Sequence, residues 1–273
     1  MRLVEGKVAI VTGSGRGIGA ATAKLLAQHG ARVIVSDLDE APATETAAVI
    51  QAAGGDAIVF CGNITDPAFP ATIVQQAVEH FGTLDILVNN AGFTWDSMLH
   101  TMSDQQWDTI LGVHLTAPFR LTRAAATVMR ERAKAEISQI GQAQARKIVN
   151  ISSISAAYGN VGQANYAAAK AGVIGLTRVI AREWGRFNIQ ANAVSFGWIE
   201  TRLTADKSLG EAIDLGKEKI ALGIPQTGLE ARKQMIALSR PGTPEEAAGP
   251  ILFLCSSLAN YITGHVLKVD GGR

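Results

Sequence analysis

The sequence predicts an α/β fold, a doubly wound parallel sheet of about seven strands with helices on both faces, and three observations lead there. Short β-branched runs alternate with longer amphipathic stretches along the chain, the pattern of repeated βαβ units. The runs are predominantly apolar, as expected of strands covered on both sides. A chain of 273 residues, 47% of them hydrophobic, can bury one substantial core, and no linker divides it, so a single domain over 1–273 is expected.

The first strand falls at 7–12, followed by a glycine-rich turn and a helix over about 18–29, with Gly30 as its stop signal. The second strand is 31–36. Pro42 then sits where a first helical turn tolerates it, and Gly54-Gly55 ends that helix. A third strand at 57–61, a helix over about 67–81 and a fourth strand at 84–89 continue the rhythm. Further strands are expected at 147–151, 189–194 and 265–269. Two segments break the pattern. The polar 130–146 segment extends a helix before looping to the fifth strand. The 202–240 segment contains no strand-like run and is too long for an idle loop, so it is expected to be a substrate lid.

Lys plus Arg total 25 and Asp plus Glu 24, a net charge of +1, which leaves no general electrostatic attraction for nucleic acid or an anionic membrane. The chain opens without a charged-then-apolar signal segment and holds no apolar run of transmembrane length, so a cytoplasmic protein is expected. Cys61 and Cys255 lack CxxC spacing; neither a metal site nor a disulfide framework is implied.

Chemistry enters at Thr12-Gly13-Ser14-Gly15-Arg16-Gly17-Ile18-Gly19, between the first strand and the first helix. Glycines let backbone amides approach a pyrophosphate, and the helix N-terminus adds partial positive charge. Strand before and helix after turn a weak motif into a specific one. Farther on, Asn150-Ile151-Ser152-Ser153 closes a strand, and Tyr166 and Lys170 follow on a helix at i and i+4, one face. A cationic neighbour on that face is expected to lower the phenol pKa from about 10 towards the range of a general acid and base.

The glycines at 13, 17 and 19, the Asn89-Asn90-Ala91-Gly92 segment and the Ser153, Tyr166, Lys170 set together resemble the short-chain dehydrogenase/reductase family. The run from Gly162 to Gly172 looks most like its 3-oxoacyl-(acyl-carrier-protein) reductases. The likeness runs from Gly6 to Gly272 and implies a single-domain Rossmann-type fold. It selects Ser153, thirteen residues before the tyrosine, to hydrogen-bond the substrate oxygen, with Tyr166 as acid or base and Lys170 on the nicotinamide ribose. Cofactor contacts implied are Gly13, Arg16, Gly17, Ile18, Gly19, Asp37, Leu38, Asn63, Ile64, Asn90, Ala91, Gly92, Ile199 and Thr201, besides Tyr166 and Lys170. Asp37, just past the second strand, is placed to take the adenosine ribose hydroxyls of NAD, unless it or Asp39 simply caps the next helix. Arg16 could instead meet the 2′-phosphate of NADP; a carboxylate facing that phosphate should dominate, so NAD is expected, with NADP as the alternative.

Two positions depart from the family pattern. His114 stands where an Asn usually anchors a relay water to the lysine; with a pKa near neutrality it would make that relay pH-dependent, or it is a buried imidazole without a catalytic part. Phe196 replaces the usual Pro before Gly197. Phe196, Trp95, Met98, His100 and Trp198 are candidates for a substrate pocket or ordinary core residues. Lys207, Lys217, Lys219, Arg232 and Lys233 could draw an acidic carrier or a coenzyme A phosphate, or form a solvated face. The expected activity is NAD(P)(H)-dependent interconversion of a carbonyl and a secondary alcohol on a 3-oxoacyl thioester. Alternatives are a dehydrogenase of a small alcohol, sugar or cyclic ketone, and a non-catalytic NAD-sensing protein. The resemblance further implies a homotetramer.

Overall fold

The computed structural model describes residues 2–214, 219–223 and 229–273. Its main sheet contains β1 (Val8–Thr12), β2 (Arg32–Ser36), β3 (Asp56–Val59), β4 (Ile86–Asn89), β5 (Arg146–Ser153), β6 (Ile189–Phe196) and the last strand of the chain, β9 (Val266–Val269). Every pairing is parallel, in the order β3-β2-β1-β4-β5-β6-β9. This is the expected seven-stranded Rossmann-type arrangement.

Both faces of the sheet's inner strands are buried, which is why these read as mainly apolar runs. Alternate residues of β1 show it directly. Ala9 and Val11 pack with Leu26, Ala47 and Ile251 of helices α1 (Gly17–Gln28), α2 (Glu40–Ala52) and α9 (Pro244–Cys255). Val8 and Ile10 pack on the other side with Ile73, Met129 and Ile180 of α3 (Phe69–Phe81), α5 (Ala117–Ile140) and α7 (Ala164–Trp184). Gly30, at φ +93°, closes α1 in a backbone conformation that side chains rarely adopt. No helix among the described residues is long and apolar enough to cross a membrane.

The strand order reverses between β1 and β4, so the chain leaves these adjacent strands towards opposite faces and opens a crevice at their carboxyl ends. Around that end lie three shorter helices, α4 (Asp104–Leu111), α6 (Ser155–Tyr158) and α8 (Leu229–Gln234). The 130–146 segment follows expectation, with α5 running to Ile140 before β5 begins at Arg146.

The 202–240 segment does not. It contains an antiparallel hairpin of β7 (Ala212–Asp214) and β8 (Lys219–Ala221), with Ile213 paired to Ile220. Strands of three residues fall below the length at which an apolar run announces a strand, so the sequence pattern is silent there. For Phe196 the structure selects the core alternative. The residue is 4% exposed, belongs to the core beneath α9 and continues β6 in register with Ser153 and Val269, so it is no pocket residue. With no proline in its place, the strand can extend to this residue.

Candidate active site

The crevice is stitched across its floor by side chains from β1 and β4. Thr12 Oγ1 donates to the Val88 carbonyl at 3.3 Å and accepts from the amides of Asn90 and Ala91 at 3.0 and 3.1 Å. Asn90 Nδ2 donates to the carbonyls of Thr12 and Gly13 at 2.9 and 3.0 Å. These bonds hold the glycine turn against the loop after β4. A Cβ on Gly13 would lie 2.7 Å from Ala91 Cα, and one on Gly19 would collide with the Gly13 carbonyl oxygen. Space alone demands glycine at 19, while Gly13 is required both by space and by its φ of +62°.

The turn fits a dinucleotide phosphate. α1 begins after Arg16 with no side chain capping its first turn among the described residues, so its leading N–H groups face the crevice unused. Gly17 lies beside Thr201, whose Cγ2 would be 3.4 Å from a Cβ there, which brings the glycine turn and the 199–201 segment to one place. Ile18 packs on the core below. Asp37 Oδ2 accepts from the Gly15 amide at 2.8 Å, and Oδ1 accepts from Leu38 at 2.8 Å, so the carboxylate is fixed at the rim of the turn. Asp39, not Asp37, occupies the N-cap position of α2, and its side chain makes no capping bond. Arg16 pairs with Asp39 at 2.9 Å on the surface, which offsets the cation that would otherwise meet a 2′-phosphate. Asn63 uses Oδ1 to close its own turn onto Thr65, and Ile64 packs on the α3 side of the core. Ile199 is buried, and its carbonyl accepts from Thr204 Oγ1 at 2.5 Å.

Ser153, at the end of β5, and Tyr166 and Lys170, one turn apart on α7, come together at the mouth of the crevice. Ser153 Oγ accepts from the Ser155 amide at 3.2 Å, which leaves its own proton free to donate; it hydrogen-bonds the Tyr166 hydroxyl. Lys170 is 4% exposed, donates from Nζ to the Ile151 carbonyl at 2.6 Å and stands 5.6 Å from the Tyr166 ring centroid. Burial pushes Lys170 down to about 7. Burial also pushes Tyr166 up to about 12, and the Ser153 hydrogen bond only partly offsets this. The lowered phenol pKa expected from helix spacing alone is therefore corrected: desolvation outweighs the nearby amine.

His114 lies on a π-helical turn, Gly112–Thr116, just before Pro118. Pro118 has no N–H for the His114 carbonyl four residues earlier, a local reason for the α-helical ladder to widen there. The imidazole is 3% exposed, with its edge against the Tyr166 ring at a centroid distance of 5.0 Å. Burial, reinforced by Lys170, holds its pKa well below the ordinary histidine value, so it does not titrate near neutrality as the sequence suggested.

The side chain missed by sequence reading is Asn165, which is fully buried. Its Nδ2 donates to the carbonyls of Trp95 and Gln106 at 3.2 and 3.1 Å, and its Oδ1 accepts from the Tyr166 amide at 2.7 Å. An amide within an apolar helix next to the tyrosine was the available signal, since a buried amide must be bonded. Trp95 joins Tyr166, Leu203 and Ile213 around Phe93, Ile110, Val113 and Ile220 in a small apolar cluster. Met98 and His100 are exposed. Trp198 lines an open cleft of about 450 Å³ with Thr201, Thr204 and Lys233. Of the cations on 202–240, Lys207 and Lys219 are exposed and Lys233 pairs with Glu230 at 2.7 Å. Lys217 and the Arg232 side chain fall outside the described residues.

Residues 13–273 match the family model described as enoyl-(acyl carrier protein) reductase. The chain is 38% identical over 272 residues to the 3-oxoacyl-[acyl-carrier-protein] reductase FabG of Thermotoga maritima, covering all of this chain and 99% of that one. A FabG of Vibrio cholerae is 38% identical over 269 residues, with 98% of each chain covered. The short-chain reductase protein NovJ of Streptomyces niveus is 39% identical over 266 residues, 97% of this chain and 93% of its own. Together with the crevice, the glycine turn and the Ser153–Tyr166–Lys170 cluster, these full-length matches place the chain in the short-chain dehydrogenase/reductase family, as an oxidoreductase that uses a nicotinamide cofactor to interconvert a carbonyl and a secondary alcohol.

Proposed function

We propose that the chain reduces 3-oxoacyl thioesters, presented on an acyl carrier protein or coenzyme A, with NADH. The observation that carries the reading is the convergence of two hydroxyls, from Ser153 and Tyr166, beside a buried Lys170. Two O–H groups aimed at one place suit a single oxygen atom, that of a ketone or secondary alcohol. The thioester assignment rests on the FabG relatives, matched along their whole length.

When bound, the nicotinamide supplies or accepts the hydride. Tyr166 gives its hydroxyl proton to the carbonyl oxygen during reduction and takes it back during oxidation. Ser153, fed by the Ser155 amide, donates a hydrogen bond to the same oxygen. Lys170 in its protonated form stabilises the phenolate left on Tyr166 and would hold the nicotinamide ribose when the cofactor is bound. The described parts of 202–240, which include the β7–β8 hairpin and line the cleft beside Trp198, would serve as lid over the thioester; residues 215–218 and 224–228 of that expected lid lie outside the described residues. Exposed Trp107, Phe119 and Val179 on α4, α5 and α7 suit burial between copies of this chain, as in the homotetramer that the family resemblance implies.

Asp37 supports NAD over NADP: its carboxylate stands at the turn where an adenosine 2′-phosphate would add like charge. Asp37→Ser is expected to shift the NADH:NADPH preference, as a ratio of kcat/KM, by at least about tenfold towards NADPH. Wild-type preference for NADPH, with no shift on substitution, would refute the role of Asp37. The description of the matching family raises a second reading, reduction of an enoyl thioester. Acetoacetyl-CoA and crotonyl-CoA separate the two; turnover of crotonyl-CoA alone would overturn the 3-oxo assignment.

A further inference from the structure

The His114 ring touches three parts of the site at once. Its Nε2 lies 2.6 Å from the Phe93 carbonyl oxygen and 3.3 Å from the Phe93 amide nitrogen. Its Cε1 edge fills the position a side chain on Gly92 would need: a Cβ there would collide with Cε1 and lie 2.7 Å from Nδ1. Its edge meets the Tyr166 ring. The remaining nitrogen, Nδ1, is buried and has no hydrogen-bond partner among the described residues.

We propose that His114 is a positioning residue. Its imidazole is the spacer that fixes the Tyr166 ring relative to the Gly92–Phe93 backbone bordering the cofactor, and glycine stands at 92 because the ring occupies the space a side chain would need. The proposal rests on the reading of Tyr166 as proton donor. A spacer needs no change of charge, which agrees with a ring held neutral by burial and by Lys170. The shorter contact, 2.6 Å to the Phe93 carbonyl, places the proton on Nε2, so the Phe93 amide at 3.3 Å is only a neighbour of that nitrogen and Nδ1 is left an acceptor without a donor among the described residues. Neutral His114 is thus held by geometry: on one side by the Phe93 peptide, on the other by the aromatic edge contact. The widened turn at Gly112–Thr116 delivers the ring to that slot.

The test is a double-mutant cycle on Gly92 and His114, with kcat and KM measured for NADH-driven reduction of acetoacetyl-CoA and thermal midpoints recorded alongside. His114→Ala should lower kcat by about tenfold with the KM for NADH within about threefold, because it releases the tyrosine without touching the cofactor turn. Gly92→Ala should lower kcat by about a hundredfold, since the new methyl displaces either the ring or the loop. In the double variant the methyl has room, so kcat should recover at least about tenfold over Gly92→Ala. A double variant no better than Gly92→Ala would overturn the proposal. Should Gly92→Ala fail to fold, the pH profile of His114→Ala decides: the limb of kcat governed by Tyr166 and Lys170 moves if the ring positions the tyrosine. An unmoved limb with wild-type kcat overturns it. Tyr166→Phe in the same assay keeps the two readings apart. Retained turnover there sinks the role of Tyr166, whereas an inactive Tyr166→Phe with an additive cycle sinks only the spacer.

Discussion

Tyr166→Phe is expected to lower kcat for carbonyl reduction by about 10³-fold while leaving NADH affinity within about twofold of wild type. The substitution removes one oxygen and keeps the ring, so the edge contact with His114 and the packing against the apolar cluster of Phe93, Ile110, Val113 and Ile220 survive. What disappears is the phenolic proton of the hydroxyl that Ser153 hydrogen-bonds. The same site predicts a pH dependence. Lys170 is held near 7 by burial, so its ammonium form is dominant below that pH and lost above it. Reduction leaves a phenolate on Tyr166, and a phenolate beside a neutral amine is costly in a site that already pushes the phenol up to about 12. Reduction should therefore slow as pH rises through about 7, while oxidation, which begins from the phenolate, should be favoured by rising pH. Initial rates in both directions across pH check this, and a reduction rate that rises through that range would contradict the assigned roles of the pair.

Arg146→Met should cost about 3–5 kcal/mol of stability, the loss expected when one partner of a buried ion pair is removed. Arg146 is 2% exposed at the start of β5, the end of the sheet away from the crevice. It donates from Nη2 and Nη1 to the two carboxylate oxygens of Glu136 on α5 at 2.6 and 2.9 Å, and its Nε lies 3.9 Å from Asp85 just before β4. The arginine thus ties the C-terminal end of α5 to the edge of two central strands. Without it, Asp85 and Glu136 remain as neighbouring carboxylates with no guanidinium. The Arg146 hydrogen bonds hold Glu136 below its ordinary pKa. A carboxyl depressed in the folded state contributes stability above its unfolded pKa and loses it as pH falls through the folded value. That part of the acid sensitivity below about pH 4.5 should vanish in the variant. Chemical denaturation across pH measures both effects, and adding Glu136→Leu should recover part of the loss by removing the unpaired charge. A variant as stable as wild type would show that the pair contributes little.

The features that were legible in the sequence are those governed by local pattern. Apolar residues marked the five inner strands of the main sheet because these are buried on both faces, and the edge strands β3 and β9, which are partly exposed, were marked by their β-branched and aliphatic residues. Glycines at 13 and 19 stood out because backbone and side-chain atoms occupy the places their Cβ atoms would take. Tyr166 and Lys170 were visible because helical spacing puts i and i+4 on one face. What escaped depended on distant partners. Arg146 read as the end of a polar stretch, yet its environment comes from Glu136 and Asp85, and nothing local indicates its burial. Asn165 looked like an ordinary neighbour of the tyrosine until Trp95 and Gln106 supplied its acceptors. The β7–β8 hairpin was too short to register. His114 was noticed as a departure, but its neutrality follows from burial and from Lys170, which a linear reading cannot weigh.

The central claim is that this crevice reduces the ketone of a 3-oxoacyl thioester, and the most direct measurement is the rate of NADH oxidation by the wild-type protein with acetoacetyl-CoA beside a simple cyclic ketone. The account predicts steady turnover of the thioester, with kcat/KM above that of the cyclic ketone by about tenfold or more and loss of that turnover in Tyr166→Phe. Turnover of the cyclic ketone with none of acetoacetyl-CoA, or tight NADH binding without turnover of either, would contradict it.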